Sequence, residues 1–326
     1  MAHQSTIVEN GMTYNVTEFD HTAQEIDDAV SNLGGASTPQ GAIAALGAGV
    51  RPNLLVNPFF KINQRGKTSY TGIVPTVDCW KSSSTTLTVQ VTDDGVLLSG
   101  TGFDYLKNYI ESPEQYNGKT ITVSALVKNP GGQFRINLFN DSKQVSKNFN
   151  IPASSDWVII SGTIHGVQVS DGDRLAFLLY PGGGVSGQTA TAQVMATKVE
   201  EGETQTLGYI DSSGNPVLLE RPDPLELLKC QRYFYYAKNI LCPGQIKNSK
   251  IFLAMYLPTK MRVIPSMTVK SYGTIINNGV SNVPTTFFSP LLSGNILHFQ
   301  TNAPANTANY TPCVLTDLDA EISAEL

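Results

Sequence analysis

Aromatic rings interleaved with amides are the residues of this sequence best suited to chemistry, and that chemistry is non-covalent recognition. A flat ring can stack on the face of a sugar, and an amide both donates and accepts hydrogen bonds. One group of this kind comprises Tyr105, Asn108, Tyr109 and Tyr116. A second group, near stretches rich in Asn, Thr and Ser, comprises Phe287, Phe288 and Tyr310. Both groups predict a shallow carbohydrate-binding surface on loops, and we favour the C-terminal group.

Catalysis by acidic or nucleophilic side chains is not predicted. Hydrolysis of a glycosidic bond needs two carboxylates that flank it, and the acidic residues here follow no pairing motif. The candidates are Glu111, Glu114, Asp156, Asp171, Asp173, Glu200 and Glu201. The histidines have no serine, aspartate or second histidine at the spacing of a nucleophile or metal motif. We therefore expect a protein that is not an enzyme.

Metal and redox chemistry have equally little support. No CxxC pair occurs among the cysteines, which are Cys79, Cys230, Cys242 and Cys313. We interpret them as buried free thiols. Asp171–Asp173 and Asp93–Gly95 could offer oxygen ligands to a structural Ca²⁺, but no EF-hand pattern is present and plain turns are favoured. We predict no cofactor and no metal site.

The composition argues against several other functions. Charged residues are only 15 % of the 326 residues, against about 25 % in an average globular protein, so much of the polar surface must be uncharged. A net charge of −5 without runs of Lys or Arg argues against nucleic-acid binding. No apolar stretch is long enough to predict membrane insertion, and the opening residues do not resemble a signal peptide.

Residues 1–50 differ from the rest of the chain because their apolar spacing is helical. Thr22–Glu25 has the pattern of a capping box that starts a helix, and Thr38–Leu46 predicts a second short helix. The first helix carries an apolar stripe formed by Ile26, Val30 and Leu33. A helix of about 12 residues is not stable alone in water, so the stripe must pack on its own domain or on copies of itself. We interpret residues 1–50 as an attachment and oligomerisation segment.

After Asn53 the spacing changes to the alternation of β-strands. Leu87, Val89 and Val91, for example, alternate with Thr and Gln, and Gly-containing turn dipeptides separate successive runs. The sequence predicts a mainly β protein: two antiparallel β-sandwich or jelly-roll domains after a short helical N-terminal segment. We place the jelly roll at residues 51–222 and a smaller β head domain at residues 223–326, with one helical turn near Leu225–Leu228.

Three segments resemble phage and prophage tail-fibre proteins. Residues 50–66 (VRPNLLVNPFFKINQRG), followed by residues 77–80 (VDCW), resemble the opening strand of a jelly-roll module common in those proteins. Residues 194–202 (VMATKVEEG) resemble its closing strand, and residues 226–236 (ELLKCQRYFYY) resemble the junction to a C-terminal β domain. The resemblance implies a sandwich like that of carbohydrate-binding modules, within a trimeric fibre or spike head.

The function that the resemblance implies is adhesion: a receptor-binding protein that holds a bacterial surface glycan without catalysis. The implied partners are further copies of the chain, three in all by the symmetry of fibres, and a phage tail or baseplate protein bound through the N-terminus. The implied location is the virion, after synthesis in the bacterial cytoplasm. Two alternatives stay open: a purely structural fibre or baseplate component, and a polysaccharide depolymerase or accessory module of a glycan hydrolase.

Overall fold

The computed structural model describes residues 6–9, 12–15, 50–143, 145–220, 223–304, 308 and 310–325. It confirms the predicted fold class, because antiparallel strands dominate and helix is scarce. A short hairpin joins strands β1 (Thr6–Glu9) and β2 (Met12–Asn15). Both predicted helices, with the stripe of Ile26, Val30 and Leu33, lie outside the described residues.

The first domain is a sandwich of two antiparallel sheets. In chain order its strands are β3 (Ser69–Thr71), β4 (Lys81–Ser82), β5 (Thr88–Thr92), β6 (Gly95–Thr101), β7 (Leu106–Tyr109), β8 (Ile121–Asn129), β9 (Phe134–Asn140), β10 (Val145–Ile151), β11 (Ser154–Ile164), β12 (Leu175–Tyr180) and β13 (Thr189–Glu201). The front sheet has five strands, ordered β10-β9-β12-β7-β4, and the back sheet has six, ordered β11-β8-β13-β6-β5-β3. A 3₁₀ helix, η1 (Pro113–Tyr116), connects β7 to β8.

The alternation seen in the sequence places one side of each strand in a shared core. Ile121, Val123 and Val127 of the back sheet pack against Phe134 and Phe177 of the front sheet. The polar and larger residues between them point outward, as the period of two requires. Each sheet of the sandwich therefore has an inner apolar face and an outer face of different composition.

The outer face of the back sheet is covered by other parts of the chain. A hairpin of β14 (Gly208–Ile210) and β15 (Pro216–Leu218), together with Phe59, packs on Leu126 and Ala196. Beneath this cover lie the fully buried side chains of Lys198 and Glu200. We call this surface the covered face.

Residues 50–66 were expected to contain an opening strand, and the structure shows a series of turns instead. The segment lies along the free edge of β13, where the amide N–H of Leu54 donates to the carbonyl of Val199 over 2.8 Å. Asn57 and Phe60 have positive φ angles of 57°, which no strand residue adopts. The segment thus satisfies the backbone of β13 without forming a regular strand.

The C-terminal domain begins with helix α1 (Glu226–Gln231), close to the predicted helical turn. Its strands are β16 (Phe234–Lys247), β17 (Lys250–Tyr256), β18 (Ser266–Ser271), β19 (Thr274–Asn277), β20 (Val280–Asn282), β21 (Phe288–Ser293), β22 (Ile296–Asn302) and β23 (Pro312–Ser323). All eight belong to one antiparallel sheet. The long strands β16 and β23 are paired with register shifts between Ala237 and Cys242. Such shifts bend a sheet, which here encloses its own core around Leu253, Phe299 and Leu315.

Candidate functional site

The outer face of the front sheet differs from the covered face, because no apolar cluster of the described residues packs on it. We call it the open face. Its outward-pointing residues come from four neighbouring strands, and they are Lys107 and Tyr109 (β7), Ala176, Leu178 and Tyr180 (β12), Arg135, Asn137 and Phe139 (β9), and Ser146, Asn148 and Asn150 (β10). These positions place aromatic, amide and basic side chains side by side on a rigid sheet.

Strand register places small and apolar residues between longer ones on the open face. Ala176 lies between Tyr109 and Phe139, and Leu178 lies between Lys107 and Asn137. Ala176 and Leu178 are only 1 % and 2 % exposed although they point outward. The longer side chains of β7 and β9 therefore close over them and form the surface. We call this strip of the open face, over β12 and between β7 and β9, the groove.

Aromatic rings lie at both ends of this groove. At one end the rings of Tyr105 and Tyr180 meet in a tilted contact with centroids 5.1 Å apart. Burial and the neighbouring Tyr105 raise the pKa of Tyr180 to about 12, against the opposing effect of Arg135. The Tyr180 hydroxyl therefore stays protonated near neutral pH and can both donate and accept a hydrogen bond. At the other end Tyr109 receives a hydrogen bond from the Lys107 ammonium at 2.8 Å.

An unsatisfied polar atom lies at the β9 side of the groove. The side chain of Asn137 donates to Asn148 through Nδ2, but its buried Oδ1 has no hydrogen-bond partner among the described residues. A buried carbonyl oxygen left unpaired costs about 1–3 kcal/mol, and such atoms in native proteins call for an explanation. The oxygen itself lies below the accessible surface of the open face.

The first predicted group of site residues is only partly assembled. Tyr105 and Tyr109 lie at the open face, as just described. Asn108 instead points inward, is 1 % exposed, and donates from Nδ2 to the carbonyl of Val56 at 2.7 Å. Tyr116, at the end of η1, is half-buried against the sandwich core. Alternation explains the difference for Asn108, because its neighbours Lys107 and Tyr109 occupy the opposite side of β7.

The second predicted group does not form one site either. Phe287 is wedged between Tyr272 and Phe299, with ring centroids 5.5 and 5.1 Å away, and belongs to the core of the C-terminal domain. Phe288 lies on β21 with the Lys250 ammonium 4.8 Å from its ring. Tyr310 is exposed and lies 5.8 Å from the ammonium of Lys247. The last two rings are surface residues, each next to a lysine.

Sequence reasoning missed most of the open face, namely Lys107, Arg135, Asn137, Phe139, Tyr180 and the asparagines of β10. A signal for β9 was present, because FRINLFN alternates apolar residues with Arg, Asn and Phe. The residues between the core positions share one side of the strand. Nothing local to β9 indicates that this side is the uncovered one.

The outer face of the C-terminal sheet is apolar and exposed. We call it the apolar face, and it is formed by outward-pointing Leu241, Pro243, Phe252, Tyr256, Ile276, Leu291, Ile296 and Val314, with Gln245, His298 and Gln300 interspersed among them. Phe252 is 41 % exposed, Leu291 59 % and Tyr256 66 %. Contiguous apolar patches on a soluble monomer are rare and mark interaction surfaces.

Charged groups are buried where the two domains meet. Asp78 accepts hydrogen bonds from the backbone and side-chain amides of Gln64, and Arg65 ion-pairs with Glu325 and stacks 3.7 Å from the ring of Phe234. Burial raises the pKa of Asp78 to about 6, although the hydrogen bonds from Gln64 and the charge of Arg65 oppose the shift. These partners belong to the protein itself, so we assign the cluster to domain docking.

No group of three or more potential metal ligands converges among the described residues. Asp173 accepts from Asn140 and from the backbone of Ser170, and it ion-pairs with Lys143. The Asp173 carboxylate therefore stabilises the turn at Asp171–Asp173 through contacts within the protein. No described helix is long and apolar enough to cross a membrane.

Comparisons with known proteins give fold neighbours at low similarity. No family model matches the chain, and no curated protein matches it. Similar solved structures include an arabinose-bound α-L-arabinofuranosidase (14 % identity, 52 % of this chain and 28 % of that one, TM-score 0.32). Another is the family 11 carbohydrate-binding module of a Clostridium thermocellum cellulase (14 % identity, 42 % of this chain and 88 % of that one, TM-score 0.26). A third is the enzymatically active domain of tailspike protein 4 of bacteriophage CBA120 (13 % identity, 46 % and 21 %, TM-score 0.26).

The chain therefore spans about a quarter of the arabinofuranosidase and a fifth of the tailspike domain. At these identities and TM-scores the neighbours carry no argument about substrates or partners. The functional argument rests on the geometry of the open face.

Proposed function

We propose that this chain binds a glycan on its open face without catalysis, and that it serves as the receptor-binding part of a phage tail fibre. The observation that carries the glycan-binding proposal is the row of tyrosine rings along the groove, Tyr105 with Tyr180 at one end and Tyr109 at the other, beside the exposed amides of β10. The tail-fibre role is supported only by the sequence resemblance.

The groove suits a sugar chain. Rings of Tyr105, Tyr109 and Tyr180 offer stacking faces, and the exposed amides of Asn148 and Asn150 offer hydrogen-bonding groups to sugar hydroxyls. An open groove also allows a polymer to enter at both ends. A polymer thus fits better than a small molecule, which proteins usually enclose in a deeper pocket.

We propose that the groove is not catalytic because the carboxylates near it are ion-paired with arginines. Asp141, which accepts from the Tyr109 hydroxyl, is ion-paired with Arg174 at 2.6 Å. Glu111, beyond β7, is paired with Arg232 at 2.8 Å. Glycoside hydrolysis needs one protonated and one free carboxyl group on either side of the bond. A carboxylate that is ion-paired with an arginine is disfavoured both as the protonated acid and as the free base or nucleophile.

Glycan binding is tested with labelled full-length protein on a glycan array and on bacterial cells. We expect binding that is lost in the double variant Tyr109→Ala with Tyr180→Ala, and retained in the control Phe103→Ala, whose ring is exposed outside the groove. A parent that binds no glycan and no cells would support the structural-component alternative. Release of reducing ends from a bound polysaccharide would support the hydrolase alternative.

A single groove would bind weakly, at about millimolar Kd or roughly −4 kcal/mol. Several grooves on one particle raise the apparent affinity by about 10² or more if they engage together. We therefore propose that the chain is a homo-oligomer, with three copies as the expected number, joined through the apolar face.

Two features of the apolar face favour another copy as its occupant. Six strands at about 4.8 Å spacing and five residues of about 3.4 Å give a plan area on the order of 500 Å², and projecting side chains bring it towards the roughly 800 Å² per partner of a stable interface. Lys247 and Lys250 lie at one end of β16 and β17, and Asp317 and Asp319 lie towards the other end of β16. Ends of opposite charge suit head-to-tail contacts, which close into rings.

Light scattering of the purified chain tests the oligomer. We expect about three times the mass of one chain at micromolar concentration, and smaller species for Leu291→Asp. The control Ile73→Asp changes an equally exposed apolar residue of the jelly roll, and it should leave the mass unchanged. A single-chain mass for the parent would refute the proposal, and an intact oligomer in Leu291→Asp would move the contacts away from the apolar face.

A further inference from the structure

The open face is basic although the chain as a whole is acidic. The net charge is −5, yet the outward positions of β4, β7 and β9 contribute Lys81, Lys107 and Arg135. Asp141, at the end next to Tyr109, is already paired with Arg174. Glu325 lies next to Lys81, so Lys107 and Arg135 are the two cations that bear on a ligand of the groove.

Two of these cations face each other directly. Lys81 on β4 and Lys107 on β7 are cross-strand partners, a placement that puts their Cβ atoms about 4.5–5.5 Å apart and is destabilising for like charges. Lys81 also feels the charge of Glu325, whose pKa it helps to lower against burial. Among the described residues Lys107 has a neutral hydrogen-bond partner, the hydroxyl of Tyr109, and lies 4.9 Å from that ring.

Arg135 is held in place but is not neutralised. Its Nε donates to Oδ1 of Asn150 at 2.8 Å, and its guanidinium lies 5.7 Å from the ring of Tyr180. Gly184, at a positive φ of 70°, approaches so closely that a Cβ there would meet the guanidinium at 2.1 Å. No carboxylate of the described residues lies within ion-pair distance of Arg135. The turn and the sheet thus present a preoriented fork, the group that recognises carboxylates and phosphates with two parallel hydrogen bonds.

We infer that the glycan held by the open face is anionic, a polymer whose sugars carry carboxylate or phosphate groups. This inference rests on the proposed glycan-binding function and names the class of glycan. The positions of Lys107 and Arg135 are two strands and two residues apart, roughly 12 Å between Cα atoms. The distance is too large for one acidic group to bridge, so a chain with repeated charges fits both.

The test compares three polymers on the full-length protein by isothermal titration or biolayer interferometry. They are polygalacturonate, which carries carboxylates, a glycerol-phosphate teichoic acid, which carries phosphodiesters, and the neutral polymer dextran. We expect at least one acidic polymer to bind tenfold or more tightly than dextran at low salt, with an affinity that falls as salt is added. The preferred acidic polymer tells carboxylate from phosphate recognition.

Variants locate the charge effect. Lys107→Gln and Arg135→Gln should each weaken binding of the acidic polymer about tenfold and reduce its salt dependence, and Arg135→Lys should recover part of the loss. The matched control is Lys128→Gln, whose ammonium lies 4.8 Å from the ring of Trp157 on the back sheet. It should bind like the parent. Circular dichroism and thermal midpoints confirm that each variant is folded.

Failure of the inference differs from failure of the proposed function. Equal binding of dextran and the acidic polymers, with no salt dependence, would overturn the anionic class while leaving glycan binding intact. Unchanged acidic binding in folded Lys107→Gln and Arg135→Gln would overturn it as well. Binding of no polymer at all would overturn both.

Discussion

The two outer faces of the jelly roll are built from the same kind of strand but differ in whether other parts of the chain cover them. The covered face buries Leu126, Lys198 and Glu200 beneath Phe59 and the β14–β15 hairpin. The open face leaves its tyrosines, amides and cations with no apolar cluster of the described residues on top. The comparison shows that a ligand surface in a sandwich is created by leaving one sheet uncovered, while the other gains stability from its cover.

Polar groups also have different partners on the two faces. On the covered face the Lys198 ammonium lies 3.0 Å from Glu220 and 3.9 Å from Glu200, and Glu200 accepts from the backbone of Thr206 at 2.6 Å. On the open face Arg135 has no carboxylate of the described residues within ion-pair distance. Both faces contain an unpaired buried oxygen, that of Asn137 on the open face and that of Ser124 on the covered face, so the difference between them lies in the charges.

The largest expected effect concerns the covered face. Lys198→Ala should lower the free energy of unfolding by about 3–5 kcal/mol, because it leaves buried Glu200 and partly buried Glu220 without their cation. Lys119→Ala is the control, since its pair with Glu201 at 2.8 Å is exposed and should contribute no more than about 1 kcal/mol. Urea denaturation measures both. Equal small losses would mean that the covered face does not depend on its ion pair.

A smaller effect on the free energy of unfolding is expected from pH, and it arises at Asp78, which lies next to the segment that carries Phe59. Burial raises the pKa of Asp78 from its ordinary value of 3.8 to about 6 in the folded protein, so the folded state holds that proton more tightly than the unfolded chain does. The stabilisation is fully present below about pH 4 and is lost as the pH rises through about 6. Between these limits the parent should lose on the order of 2–3 kcal/mol relative to Asp78→Asn. Denaturation curves at several pH values that run parallel for the two proteins would contradict this.

Next in size are substitutions of single rings on the open face. Tyr109→Ala and Tyr180→Ala should each weaken glycan binding about tenfold, or about 1.4 kcal/mol, as truncation of an aromatic binding residue commonly does. Their urea midpoints should change less than that of Lys198→Ala, because the open face contributes little to the core. Titration calorimetry gives the affinity. A variant with full affinity would remove that ring from the site.

The smallest expected effect on stability is that of Asn137→Ala. The substitution removes one hydrogen bond to Asn148 but also removes the unpaired oxygen, so the free energy of unfolding should change by less than about 1 kcal/mol. Glycan affinity should fall nonetheless. A large loss of stability with unchanged affinity would show that Asn137 has a structural role and takes no part in binding.

Much of the fold could be predicted from the residues themselves. The runs Ile121–Val127 and Phe134–Leu138 alternate, and they became β8 and β9. Local patterns were less reliable where long-range contacts determine the backbone conformation. Residues 50–66 are apolar enough for a strand, but the edge of β13 and the positive φ angles of Asn57 and Phe60 make them irregular. The single bent sheet of the C-terminal domain also depends on pairing between strands far apart in the chain.

The sequence alone determined which residues share a side of each strand, because side chains alternate with a period of two whatever the tertiary context. Once β7 and β9 are known to be strands, this alternation points Tyr109 away from Asn108 and puts Arg135 on the same side as Asn137; the sequence analysis had instead grouped Asn108 with Tyr109 on a loop. Only the tertiary structure decided which sheet is covered, since that depends on a hairpin more than 60 residues beyond β9 returning to pack on Leu126. Burial and exposure are properties of such distant contacts. For that reason the open face, with its groove and its unneutralised cations, emerged from the fold and not from any local motif.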